Sequence, residues 1–316
     1  DLRTARDGTT YWNLRMMNDL PKILGNADPL HYSQMLPGIS TNGEYDAGLH
    51  VMGCDNGHNR ISIDGTPLYG ASHILGLFSV FTASHFQQMV IQKTPNAVSA
   101  DYLGAELTMQ THYEPTDSFT GEVAVGLISS QGTYRIPVTK SSELAISLRK
   151  CYMNLLYGSL LRDGDSKMKY SFYDANITYN HRINDNNRLL FNFYMGNDDV
   201  SMTEERMMSD MNVKWDNLMT SLKWEYDKDE VNLTNNFYFT KNKSEGSLEM
   251  TSLAVDLPAS ISEWGNRLAV TWKGWTSGVD LSLYRIEPQI PSVKSSFYSV
   301  DINMEKSNSF LGAATS

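Results

Sequence analysis

The chain is 316 residues long, 41% apolar and 11% aromatic, with 17 Tyr, 11 Phe and 6 Trp, long enough for one large domain or two ordinary ones. No apolar run reaches the roughly 18 to 20 residues that a membrane helix needs, so helical spans are excluded. With 26 Lys and Arg against 36 Asp and Glu the net charge is −10, which removes the electrostatic attraction on which nucleic-acid binding rests.

In chain order, Met17 to Gln34 carries apolar positions at Leu20, Ile23, Leu24 and Leu30, broken by Pro21 and Pro29. This predicts short helical pieces around proline-started turns. Brief strands follow at Leu49–Met52, at Arg60–Ile63 ending in the turn pair Asp64-Gly65, at Met89–Ile91 and at Glu106–Met109. Short strands around tight turns fit an α+β unit of about a hundred residues. The pattern changes between Thr111 and Ser118.

Beyond Ser118 long alternating runs take over. In Arg188–Met195, Leu189, Phe191, Phe193 and Met195 share one face and Asn192 and Tyr194 the other. In Asp216–Tyr226, Leu218, Thr220, Leu222, Trp224 and Tyr226 oppose Asn217, Ser221, Lys223 and Glu225. Val231–Thr240 repeats this, with Val231, Leu233, Phe237 and Phe239 against Asn232, Thr234, Asn236 and Thr240. Weaker copies occupy Val123–Ile128, Leu144–Lys150, Tyr173–His181, Leu268–Lys273 and Val279–Tyr284. The polar stretches Asn184–Asn187, Asn197–Asp199 and Asp227–Glu230 read as connections, and Asn197–Val200 and Glu204-Glu205 as solvated acidic loops. Two architectures produce such alternation: a soluble antiparallel sheet wet on one face, and a transmembrane β-barrel whose strands of about ten residues alternate between lipid and lumen. Aromatics near the strand ends, among them Trp215, Tyr226, Trp264, Trp272 and Trp275, and very short polar turns favour the barrel.

No nucleophile elbow, phosphate-binding glycine loop or His-Glu-x-x-His pair is present, so the sequence predicts no enzyme and no cofactor. His50, Cys54, Asp55 and His58 lie close in sequence, but a spacing of four on a strand does not converge as it does on a helix, and they read as a strand followed by a polar turn. His73 and His85 flank an apolar segment and read as packed or capping residues. Cys54 and Cys151, 97 positions apart, form neither a metal spacing nor a redox motif.

Specific motifs then occur in order: Leu36-Pro37-Gly38-Ile39, Gly48–Gly53, Asn59–Tyr69 and His73–Phe81, with Lys93, Tyr102 to Gly104 and Leu107–Met109. This succession resembles the plug domain of TonB-dependent outer-membrane receptors in the form common in Bacteroidota. Gly121-Glu122, Gly126–Ser130, Tyr170–Asp174, Phe193–Gly196 and Trp215-Asp216-Asn217 resemble the start of that family's barrel. Two departures are visible: Met52-Gly53-Cys54 stands where the family has an arginine and paired glycines, and Tyr102-Leu103-Gly104 where it has a tyrosine-glycine-glycine turn.

The resemblance implies a membrane β-barrel, antiparallel and of about 22 strands when complete, with an N-terminal α+β plug domain in its lumen. It implies a lead-in over residues 1–16, a plug over 17–114 and the N-terminal portion of the barrel over 115–316. Twenty-two spans need about 220 residues before any turn is counted, whereas residues 115–316 hold nine or ten strands, so the chain reads as part of a longer barrel. The TonB box that the family carries ahead of its plug is not read in Asp1–Arg15. The implied function is plug-gated import across the cell outer membrane of a nutrient too large or too scarce for porins, without covalent chemistry. The alternative is a receptor-like barrel serving as a structural or assembly subunit. The implied partners are the TonB-ExbB-ExbD inner-membrane complex, outer-membrane lipid, and a surface lipoprotein or other outer-membrane subunits. The turn-rich stretches after plug strands place substrate contacts at Asn42, Glu44, Asn56, His58, Asn59, Tyr69 and His73.

Overall fold

In the computed structural model the chain forms two principal sheets, one packed against a face of the other. The structure describes residues 2–20, 22, 27–41, 48–73, 76, 78–94, 102–159, 162–295, 299–301 and 307–315. Asn42 and Glu44 lie outside the described residues, as do Pro21 and 23–26.

The N-terminal unit comprises β1 (Leu2–Thr4), β2 (Thr10–Asn13), helix α1 (Pro29–Ser33), β3 (Ile39–Ser40), β4 (His50–Val51), β5 (Arg60–Ile63), β6 (Thr66–Pro67), β7 (Ser72–His73), β8 (Phe78–Ser79), β9 (Gln88–Gln92) and β10 (Glu106–Gln110). One sheet runs β1-β2-β9-β10-β5-β6, with β5 and β10 parallel and the other pairs antiparallel. The proline expectation holds at α1: Pro29 opens the helix, where its missing N–H costs nothing, and Asp28 caps it by accepting the His31 N–H at 3.0 Å. The strand expected over Leu49–Met52 is shorter than its sequence suggests. Met52 and Gly53 take φ of 53° and 81°, a turn that ends β4 at Val51. Trp12, Met17, Leu30, Tyr32, Met89, Ile91, Leu107 and Met109 fill the core of this unit.

The second sheet contains β11 (Thr120–Val125), β12 (Ser129–Thr139), β13 (Ser142–Cys151), helix α2 (Met153–Tyr157), β14 (Arg162–Asp163), β15 (Ser166–Asn184), β16 (Asn187–Glu204), β17 (Ser209–Lys228), β18 (Val231–Met250), β19 (Leu253–Trp272), β20 (Trp275–Glu287), β21 (Ser292–Ser295), β22 (Ser299–Asp301) and β23 (Ser307–Thr315). Its main path is antiparallel and sequential, β11-β12-β13-β15-β16-β17-β18-β19-β20-β23. Apart from the short strands β14, β21 and β22, which lie off this path, each strand pairs with the next along the chain, as a barrel wall requires.

Alternation located most of these strands and underestimated their length. The runs read at Asp216–Tyr226 and Val231–Thr240 are each about half of a twenty-residue strand, and β12 does not stand out in the sequence because Ser130 and Gly132 break the apolar alternation of its outward face. Asn197–Asp199 corrects a second expectation. It is no connecting loop but the interior of β16, with Asp198 only 3% exposed.

One end of the wall has two-residue turns at 185–186, 229–230 and 273–274, the last with Lys273 and Gly274 at φ 51° and 83°, the paired left-handed conformation of a tight hairpin. The other end has the longer connections 152–165 and 288–306 beside the short turns 205–208 and 251–252. In outer-membrane barrels the short-turn end faces the periplasm and the loop end the exterior.

Over the middle of the wall Phe191, Leu222, Phe237, Trp264 and Leu283 point outward and stay exposed, while Asp174, Asn176, Asn192, Asn217, Asn236, Glu263 and Asp280 point inward and are buried. Apolar outside and polar inside inverts the arrangement of a soluble sheet and meets the demand of lipid. Two inward glycines are held by neighbouring tyrosines. A Cβ on Gly265 would overlap the ring of Tyr238, its cross-strand partner, and one on Gly196 the ring of Tyr194. Gly265→Ala is expected to push Tyr238 off its 2.7 Å hydrogen bond to Glu263 and to cost about 1–3 kcal/mol as overpacking, read from the urea midpoint of the folded protein.

Candidate functional site

The N-terminal unit meets the inner face of the wall mainly through polar groups. From the sheet, only Tyr194 and Met219 among the described residues join its apolar core.

The most ionic contact centres on His73. Its Nδ1 lies 2.6 Å from Asp198 Oδ2, and its Nε2 lies 2.9 Å from both oxygens of Asp174. Two carboxylates on the two ring nitrogens require two N–H donors, so His73 is the imidazolium. Arg149 donates from Nε to Asp174 at 2.7 Å and from its guanidinium to the Ser79 carbonyl at 2.7 Å. Tyr194 donates to Asp174 at 2.8 Å, Tyr170 donates to Asp198, and the His73 ring stacks on Phe172 at 4.2 Å. Two cations thus balance two anions in a site closed to solvent. Burial alone would lower the pKa of His73, but the charge and hydrogen bonds of Asp174, then those of Asp198, raise it.

On the wall side these groups come from inward positions of β13, β15 and β16 brought level by register, Gly196 standing opposite Asp174. On the other side β7 pairs with β8, setting Ser72 against Ser79 and His73 against Phe78. Asp28 ties this hairpin to α1 by accepting the Ser79 N–H.

A second contact is neutral. His85 lies 2.7 Å from the Ser147 hydroxyl and 2.9 Å from that of Thr178, and Ser84 and Thr133 share a 2.7 Å bond. Burial first, and then nearby positive charge, pushes His85 down to about 3 and His112 to about 4. Both are therefore held neutral, and the stability they contribute is complete above the unfolded value of about 6.5 and lost as pH falls toward their folded values. His73 has the opposite sign. Its contribution is complete below about 6.5 and lost as pH rises through its raised folded value. Attachment of the unit is therefore expected to weaken between about pH 6.5 and about 3, and His85→Gln to remove the lower part of that acid limb while His112 keeps the rest, checked by urea midpoints across pH.

The Asp64-Gly65 pair is a turn, with φ of 48° and 85°, and also a contact. Asp64 accepts the Thr111 N–H at 3.1 Å, the Thr111 hydroxyl at 2.8 Å and the Asn192 amide at 2.9 Å. The Gly65 carbonyl accepts from Arg60 at 2.7 Å and from Arg267 at 3.1 Å. Asn236 donates to Thr66 at 3.0 Å.

A cavity of about 700 Å³ opens between the unit and β19, β20 and β23, bounded by Asn56, Asn59, Tyr69 and Tyr102 on one side and Tyr284 and Ile286 on the other. Three of the sequence-derived contacts, Asn56, Asn59 and Tyr69, thus share one cavity. Much of their polar capacity is used internally. Asn56 accepts the Leu49 N–H at 3.1 Å, and Asn59 accepts from Ala105 at 2.9 Å and donates to the Leu49 carbonyl at 2.6 Å. Tyr69 donates to Glu263 at 2.6 Å; burial and that carboxylate raise its pKa, keeping the phenol protonated. His58 does not line the cavity, and its carbonyl accepts the N–H groups of Leu103 and Gly104. His73, expected in a substrate-facing loop, is 1% exposed with both nitrogens occupied. Its partners Asp174, Asp198 and Arg149 escaped sequence reading because they lie 76 to 125 positions away along the chain. Cys54 and Cys151 are free thiols, and His50 Nδ1 lies 3.2 Å from the Cys54 carbonyl.

No family model matches the chain, and no curated protein matches it in sequence. Solved structures do match in fold. The copper transporter OprC aligns with TM-score 0.66 at 10% identity, covering 99% of this chain and 60% of its own. The ferric yersiniabactin uptake receptor FyuA from Yersinia pestis aligns with TM-score 0.64 at 12% identity, over 97% and 60%. The ferric preacinetobactin receptor BauA from Acinetobacter baumannii follows with TM-score 0.58 at 13% identity, over 97% and 53%. The chain spans about 60% of the length of the first two. These neighbours are TonB-dependent outer-membrane receptors, and the chain carries their fold, an antiparallel membrane β-barrel wall with a strand-rich N-terminal unit against its inner face.

Proposed function

We propose that the protein is a TonB-dependent transporter of the cell outer membrane, importing a nutrient too large or too scarce for porins, with the N-terminal unit as its plug, of the Bacteroidota form over residues 17–114, to whose sheet the lead-in adds β1 and β2. The observation that carries this reading is the chemistry of the contact between unit and wall. A unit meant to stay fixed would bury apolar surface there, whereas this one is held by separate ion pairs and hydrogen bonds through His73, Ser84, His85, Asp64, Thr66 and Tyr69. In a lumen that admits water, each such bond can be exchanged for a bond to solvent at a net cost of about 0.5–1.5 kcal/mol, more where a charge is involved. Force transmitted from the TonB-ExbB-ExbD complex can therefore shift the plug without unfolding an interface core. Substrate enters from the loop end and meets the turns that bear Asn56, Asn59 and Tyr69, and Asn42 and Glu44 are proposed as further contacts.

The test uses Ser84 and Thr133, whose hydroxyls lie 2.7 Å apart across the contact. A Ser84→Cys, Thr133→Cys pair oxidised to a disulfide is expected to abolish growth on the one nutrient, among iron chelates, cobamides, oligosaccharides and peptides supplied singly, that the gene's deletion and loss of TonB both abolish. Reduction is expected to restore it. A deletion strain that grows normally on every nutrient but loses an outer-membrane partner protein would instead support a structural subunit.

A further inference from the structure

The polarity of the wall changes sign along its length. Above the level of Asp198, toward the loop end, the outward positions become polar: Ser201, Asn212, Ser247 and Asp256 stand side by side on neighbouring strands, as do Asp199, Lys214 and Glu245. At the same level the inward positions become apolar. Met168, Met202, Met211, Leu248, Val255 and Val293 are successive cross-strand partners on β15 to β19 and β21, forming one row on the inner face. The row beneath it continues with Val200, Val213 and Leu257, and Trp215 packs below.

The outward change has a simple cause, since strands of 18 to 20 residues exceed the roughly 9 to 11 that span a bilayer and run on into water. The inward change needs another cause. The N-terminal unit leaves the upper row open, with Met202 and Met211 41% and 36% exposed, while Met153 of α2 joins Met168, Val200, Val213 and Trp215 in one apolar cluster at its edge. Neither row carries a charge, Asp198 below them is neutralised by His73, and Glu204 above them accepts from Ser166. A charged ligand would find no counter-charge here. Methionine, unbranched and polarisable, suits a surface that shapes itself to varied apolar ligands.

We propose that this inner face, at the loop end of the lumen, binds a small uncharged ligand with an apolar body. The inference rests on the transport reading and narrows it by naming the chemical class of the cargo. The occupant is a small molecule because the face lies on the inner side of the wall, within the lumen.

The test uses the product of the whole gene in lipid nanodiscs, with N-phenyl-1-naphthylamine as neutral probe, 8-anilino-1-naphthalenesulfonate as its anionic counterpart, and empty nanodiscs as blank. Energy transfer from tryptophan to the neutral probe should saturate, and most of it should vanish in Trp215→Phe. Met202→Lys with Met211→Lys should weaken binding at least tenfold, while Ser201→Lys with Asn212→Lys, on the same strands but outward, should leave it unchanged. The anionic probe should bind at least tenfold more weakly than the neutral one. Equal binding by the inward lysine variant, equal binding of the two probes, or a co-purifying polypeptide that excludes the neutral probe would each overturn the proposal. TonB-dependent uptake by a protein that fails the probe test would overturn the ligand class alone. Probe binding without TonB-dependent uptake would uphold the class and overturn the transport reading.

Discussion

Asp174→Asn is expected to release the hairpin of β7 and β8 from the wall. Asp174 accepts from His73, Arg149 and Tyr194 together and is fully buried. Asparagine has the same shape but leaves two cations sharing the charge of Asp198, and removal of one partner from a buried ion pair costs about 3–5 kcal/mol. Amide exchange at Ser72, His73, Phe78 and Ser79 should accelerate by two orders of magnitude or more, since each factor of ten corresponds to about 1.4 kcal/mol. In an Arg149→Gln background the same substitution should cost less, because the charge it exposes has already gone. Unchanged protection of those amides in Asp174→Asn would show that the hairpin is held by its tie to α1 through Asp28 rather than by the ionic cluster.

Arginine at Phe237 should disrupt insertion into lipid, whereas arginine at Ser247 on the same strand should not. Phe237 points outward from the middle of the wall, is 49% exposed and lies against Trp264 at 5.9 Å. Arginine on the lipid face near the bilayer centre costs about 2–4 kcal/mol. Ser247, ten positions on, faces the same way between Asn212 and Asp256, above the apolar band, where the cost falls to about 0–1 kcal/mol. Urea titration of folding into vesicles measures both. Equal costs at the two positions would place the bilayer elsewhere on the wall and undo the account of the polarity change.

These two substitutions mark where local reading succeeds and where it stops. Phe237 was legible because a strand has a side-chain period of two, so Leu233, Phe237 and Phe239 against Asn236 and Thr240 already separate two faces within ten residues. Asp64-Gly65 was legible as a turn from its own backbone preference. Asp198 was misread for the same local reason: three consecutive polar residues resemble a connection, and nothing nearby shows that His73, 125 residues upstream, neutralises the charge. Asn56, Asn59 and Tyr69 were expected as substrate contacts on grounds of turn chemistry, and the cavity that joins them is completed by β19, β20 and β23 from the far end of the chain.

What the amino-acid sequence determined by itself is whatever repeats over a few residues: the strands, the lipid-facing stripe, the tight turns, and the absence of enzyme motifs. Only the tertiary structure decided which inward residue meets which plug residue, and that the apolar face changes sides above Asp198. Those features depend on the register among strands and on the seating of one sheet against another, which bring groups 100 or more positions apart to within 3 Å, and no local window of sequence carries that information.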